Sequence, residues 1–200
     1  MTRVRFTGRI GGVGTSSGVR MVIGSWAVSP FGSFTDAMVQ SADGRRTLVA
    51  PTDEVAEFVA ATYHFDQVVV QPVDAVLTGD ALTVDAEDLR VVLRIGGPGP
   101  FDRLLRLVPP PLSRAPRWLR AIDPVASWLV PGVHTAGTAG NGRREYYGVR
   151  RTRLITGVSG HFRGADLGGL SRLEPPVQFG FASAPATPQL VSVTTTIDLP

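Results

Sequence analysis

Apolar and polar residues alternate from Val4 to Ile10, the period of a half-buried strand. The next stretch, Gly11 to Gly18, holds a Gly-x-Gly and has two readings, a dinucleotide-binding loop or a hairpin turn. The residues that follow favour the hairpin. Val19 to Val28 is rich in β-branched residues, whereas a phosphate loop must open into a helix whose N-terminus meets the phosphates. Asp36, the one acid spaced to hold a ribose, lies beyond a Pro-Phe-Gly turn. Two further strands are predicted at 35–40 and 45–50, around the turn signal Asp43-Gly44. Residues 51–63 form the clearest helix. Thr52 is placed as its N-cap, acids fill its first turn, and Val55, Phe58 and Val59 share a face. Four short β-rich runs follow between 65 and 96, and the glycines and prolines of 96–100 break that pattern.

From Phe101 to Pro131 leucine, arginine and tryptophan dominate, and prolines cut the stretch into short helices. We read 101–131 as a helical insertion or lid. Residues 132–142 read as a loop and 144–162 as a long strand or bent hairpin. Residues 163–170 read as a loop, and 175–188 as an irregular edge strand. Residues 189–199 alternate well and form a last strand expected near the first. The predicted fold is mainly β (α+β): an antiparallel β-barrel or cone in one domain, residues 1–200, with one helix and the helical lid.

Composition narrows the chemistry. The chain has no cysteine, so disulfides, thiolate nucleophiles and cysteine–metal sites are excluded. It has no lysine either, which removes Schiff-base, P-loop-lysine and lysine-base mechanisms. The net charge of +3 is unevenly spread. Residues 36–102 are acidic and 103–200 are basic, which hints at an anionic partner on the basic side. No apolar N-terminal leader and no membrane-spanning run is visible, and the expected location is cytoplasmic.

The densest candidate site is the run Arg143-Arg144-Glu145-Tyr146-Tyr147-Gly148-Val149-Arg150. On a strand, Arg144, Tyr146, Arg150 and Thr152 would share one face. Arg143, Glu145, Tyr147, Val149, Arg151 and Arg153 would share the other. Two readings stand. In one, a barrel interior holds an anionic ligand through arginine donors and tyrosine rings, with Arg143, Arg144, Tyr146, Tyr147 and Arg150 as ligand residues. In the other, this is a solvated edge strand with a Glu145–arginine pair. His134, in the preceding loop, is either a general base or ligand partner or an exposed loop residue. Trp26 is expected at the base of the barrel and is counted with the ligand residues. The three histidines lack metal-ligand spacing, no serine-nucleophile elbow is present, and neither metal nor cofactor is expected.

Two local likenesses bear on fold. Gly24-Ser25-Trp26 is similar to the Gly-x-Trp signature of lipocalin-like barrels. The run containing Gly142, Arg144, Glu145, Tyr147 and Gly148 resembles a Gly-Arg-Glu-x-(Tyr/Trp)-Gly stretch of acetoacetate-decarboxylase-like proteins, with one extra arginine. Residues 29–34, SPFGSF, loosely resemble a turn of the same family. The resemblance implies a cone-shaped β-barrel around a small-molecule cavity, with 101–131 as an insertion. The family's decarboxylase chemistry needs a lysine Schiff base, so a shared fold would not carry a shared reaction.

The expected function is therefore binding of a small, partly apolar, anionic molecule in the barrel. Two alternatives remain. One is a cofactor-independent lyase, isomerase or hydrolase using His134 and Glu145 for proton transfer. The other is a peripheral membrane or protein-interaction module using 101–131, where arginines accompany Trp118 and Trp128. That segment reads as a lid before it reads as a membrane surface. A nucleic-acid partner is not expected, since no motif supports one.

Overall fold

The structure is a computed structural model that describes residues 2–130, 133–139, 142–180 and 184–200. The first hairpin joins β1 (Thr2–Thr15) to β2 (Arg20–Val28). Its turn contains Gly18 at φ 84°, a left-handed conformation that suits glycine. The glycine-rich stretch is therefore strand and turn. Strands β3 (Phe34–Gln40) and β4 (Arg46–Ala50) follow, then helix α1 (Asp53–Ala60). The Thr52 hydroxyl accepts from the Val55 N–H at 3.3 Å, as an N-cap does. α1 carries the chain across to β5 (Gln67–Val70), which pairs parallel to β4.

Strands β6 (Val73–Thr78), β7 (Ala81–Ala86) and β8 (Leu89–Pro98) form an antiparallel meander. β8 continues through Gly96 and Gly97 to Pro98, so the expected break comes later than the sequence suggested. Helix α2 (Asp102–Leu107), a 3-10 turn (Leu112–Arg114) and helix α3 (Pro116–Leu129) then make up the helical segment. Pro131, its expected end, lies outside the described residues. α3 runs through Pro124, contrary to the expectation that proline ends it. Arg120 and Pro124 are both exposed, so the carbonyl that loses its helical partner can meet water.

The short strand β9 (Ala136–Thr138) leads to β10 (Arg144–Phe162), one continuous strand rather than a hairpin. The two-residue strands β11 (Ala165–Asp166) and β12 (Leu170–Ser171) and the last strand β13 (Gln189–Leu199) complete the chain. The expected edge strand at 175–188 is not formed: 175–180 and 184–188 are non-strand, and 181–183 lie outside the described residues. β13 pairs antiparallel with β1 from Thr2–Leu199 to Gly12–Gln189, as its alternation predicted.

The sheet order is β5-β4-β3-β2-β1-β13-β10-β8-β7-β6. The sheet curls so that apolar residues of β1 to β4, among them Val13, Met21 and Val39, share one core with Val84 of β7 and with Val91, Leu93 and Ile95 of β8. Among the described residues no pairing joins β5 to β6, so the barrel is a curled half-barrel. Successive side chains alternate across a strand. Met21 and Ile23 therefore enter this core, while Val22, Gly24 and Trp26 look to the other face of β2, where a cavity lies.

Candidate functional site

That cavity has a volume of about 500 Å³ and a mostly apolar wall. β1, β2, β3, β10 and β13 form its floor, through residues such as Phe6, Met38, Val149 and Val193. α1 contributes Phe58 and Val59, and the helical segment contributes Leu104, Leu105, Trp118, Ile122 and Val125. Residues 101–130 thus supply one wall of the cavity. Phe6 makes an edge-on contact with Trp26, centroids 5.6 Å apart, and lies 5.4 Å from the Phe58 ring.

Two carboxyl groups stand in this apolar setting. Asp36 lies opposite Gly24 in the β2–β3 ladder and is buried. The Trp26 indole N–H donates to Asp36 Oδ1 at 3.0 Å. A Cβ on residue 24 would stand 2.6 Å from both of those atoms, so glycine is what lets them meet. Burial pushes the Asp36 carboxyl up to about 7, against the Trp26 hydrogen bond, which favours the charged form.

Glu145 is completely buried. The Tyr63 hydroxyl lies 3.0 Å from both of its carboxylate oxygens, and the Tyr147 hydroxyl donates to Oε2 at 2.9 Å. The two hydroxyls are 2.9 Å apart. Burial raises the Glu145 carboxyl to about 7, partly offset by Tyr147, Tyr63 and the more distant Arg143. Burial, then the Glu145 charge, raises both tyrosines well above their ordinary value. The cluster accommodates either state of Glu145. Ionised, it accepts from both phenols; protonated, it donates to one while the other still donates to it. The Glu145–arginine ion pair of the solvated-edge reading is not formed among the described residues; the hydrogen-bond partners of Glu145 are tyrosines.

A bulge in β10 decides which side chains face the cavity. Val149 pairs with Val193 and Arg151 with Ser192, which leaves Arg150 without an opposite residue on β13. Glu145, Tyr147 and Val149 line the cavity before the bulge, and Thr152 lines it after. The strict alternation expected from the sequence put Thr152 on the other face.

No arginine lines the cavity among the described residues, which corrects the expected arginine cluster inside it. Arg143 lies behind the wall, over the Phe58 ring at 4.5 Å from its centroid, and donates to the Phe58 carbonyl at 2.8 Å and to the Thr62 hydroxyl. Arg144 is exposed beside Asp198. Tyr146 is buried on the opposite face, and its hydroxyl accepts from Arg120 at 2.8 Å. Arg150, with Arg106 and Arg151, borders a separate recess of about 170 Å³ against Leu105 and Val108. Arg151 is held there by Asp102 at 3.2 Å. Of the expected ligand residues, only Trp26 and Tyr147 line the cavity. Glu145 and His134, expected as the proton-transfer pair, both line it. His134 is half-exposed and its Nδ1 lies 3.4 Å from Asp123 Oδ2.

Asp36 and Tyr63 are the site residues the sequence did not assign. Three more polar groups belong to the wall. The Thr152 and Thr195 hydroxyls and the Trp118 indole N–H are buried without a hydrogen-bond partner among the described residues, and all three residues line the cavity. Among the described residues no three His, Asp or Glu side chains gather as metal ligands would.

A comparison with protein-family models found no match, and neither did one with curated proteins. Among solved structures, the chain is similar to acetoacetate decarboxylase from Legionella pneumophila, with 10% identity and a TM-score of 0.46 over 99% of this chain and 85% of that one. A second acetoacetate decarboxylase structure gives 10% identity and a TM-score of 0.48 over 98% and 87%. This is a distant likeness of fold.

Proposed function

We propose that the protein binds a small, largely apolar, uncharged molecule in the cavity between the sheet and the helical segment. The observation that carries this reading is the cavity itself, about 500 Å³ of mostly apolar wall with a few polar groups turned toward it. The charge of the ligand follows from the wall. An anion there would meet Asp36 and Glu145 with no arginine lining the wall, which disfavours the anionic ligand expected from the sequence.

Val193 is buried on the cavity face of β13, between Gly8 and Val149 of its neighbours. A Val193→Trp variant should fill the cavity. Titration with the neutral fluorescent probe N-phenylnaphthylamine should give saturable binding to the wild-type chain. The variant should bind it roughly ten-fold more weakly or not at all. Equal binding by both would overturn the proposal.

A second reading, proton-transfer catalysis, is favoured by the setting of Glu145: burial pushes its carboxyl up to about 7, where a general acid or base works best. His134 would be the second proton-transfer group, at the same cavity.

A further inference from the structure

We infer that the outer face of the helical segment docks on an anionic lipid bilayer. Ten large hydrophobic side chains are exposed among the described residues, and six lie in this segment: Leu104, Val125 and Leu129, which line the cavity, and Leu107, Leu112 and Trp128, which do not and make up the outward apolar part. Trp128 is 81% exposed and Leu107 78%. A cluster of this kind marks an interaction surface, whereas the other exposed apolar residues are valines scattered on strands and their ends.

Charge identifies the partner. Arg103, Arg106, Arg114, Arg117 and Arg120 are all exposed on the same segment. Its two acids do not offset them at the surface. Asp102 is buried, with Oδ1 accepting from the Thr152 N–H at 3.0 Å and from Arg151. Asp123 accepts from the backbone of Ala136 at 3.1 Å and from Thr135. The segment thus exposes apolar and cationic side chains together, the combination that seats short helices at an anionic headgroup layer. Tryptophan suits the boundary of such a layer, with an apolar body and one polar N–H. A second copy of the chain fits less well, because a two-fold contact would set the same arginines against each other.

The test is co-sedimentation with vesicles, one set of phosphatidylcholine alone and one with an equal part of phosphatidylglycerol. The wild-type chain should bind the anionic vesicles roughly ten-fold more tightly, and added salt should weaken that binding. The double variant Trp128→Ser/Leu107→Ser should lose it with its melting temperature unchanged, since both side chains are mostly exposed. Val193→Trp, which fills the cavity, should bind vesicles as the wild type does, so failure of the cavity reading and failure of this one are separable. The inference is overturned if the wild type binds neither vesicle, or if the double variant binds unchanged. It is overturned equally if ultracentrifugation shows a dimer that the double variant abolishes, for then the face belongs to a second copy.

Discussion

Asp36→Asn should flatten the pH dependence of stability and make the protein more stable than wild type at alkaline pH. In the folded chain the Asp36 carboxyl is raised from 3.8 to about 7. A carboxyl raised in this way binds its proton more tightly folded than unfolded. Its contribution is complete below the unfolded value near 4, declines as pH rises, and is gone above about 7. A shift of this size corresponds to about 4 kcal/mol. Glu145, raised to about 7 from 4.5, adds a loss in the same direction over the same window. Asparagine keeps an oxygen for the Trp26 N–H but cannot ionise. The stabilities of the two proteins from denaturant melts between pH 5 and pH 8 should cross, with the variant the more stable at the upper end. Its buried amide N–H groups need partners, a cost of about 1–3 kcal/mol that shows at the lower end. Parallel curves would mean that Asp36 is not the source of the titration.

The second large effect is expected at Gly148, on the face of β10 away from the cavity. A Cβ there would stand 2.1 Å from the Ser113 carbonyl oxygen, a backbone atom of the 3-10 turn. Neither element can yield locally, because Gly148 is paired with Thr194 in the sheet and Ser113 donates its N–H to the Pro109 carbonyl. Gly148→Ala should therefore push the helical segment off the strand. We expect a loss of about 3 kcal/mol in stability and rapid proteolysis between α2 and α3, while the sheet persists. A variant as stable and as protease-resistant as the wild type would show that the segment is not seated on Gly148.

Much of the fold is legible in the sequence because local rules agree with the final packing. The β-branched residues after Gly18 settle the hairpin, Thr52 with its acids settles α1, and the alternation of 189–199 settles β13. The site is less legible, for physical reasons that each concern one residue. The bulge at Arg150 has no sequence signal here, yet it reverses the side-chain phase and brings Thr152 to the cavity. Arginine density in 143–153 reads as an interior anion site only if the phase and tilt are known; in the structure those arginines lie outside the cavity. Glu145 and Tyr147 are legible because they share a phase before the bulge. Tyr63 sits just beyond α1, far in sequence from Glu145, and only the tertiary fold brings its hydroxyl to that carboxylate. Asp36 is weighed in the sequence only as a ribose ligand, a reading the hairpin sets aside, because its true partner depends on Gly24 standing opposite.

The central claim is that the cavity selects an uncharged apolar molecule, and the most direct measurement compares two ligands that differ only in their ends. A medium-chain alcohol and the carboxylate of the same chain length can be titrated against the protein at neutral pH by calorimetry. The account predicts that the alcohol binds at least roughly ten-fold more tightly, and that Val193→Trp abolishes the difference. Tighter binding of the carboxylate would contradict it.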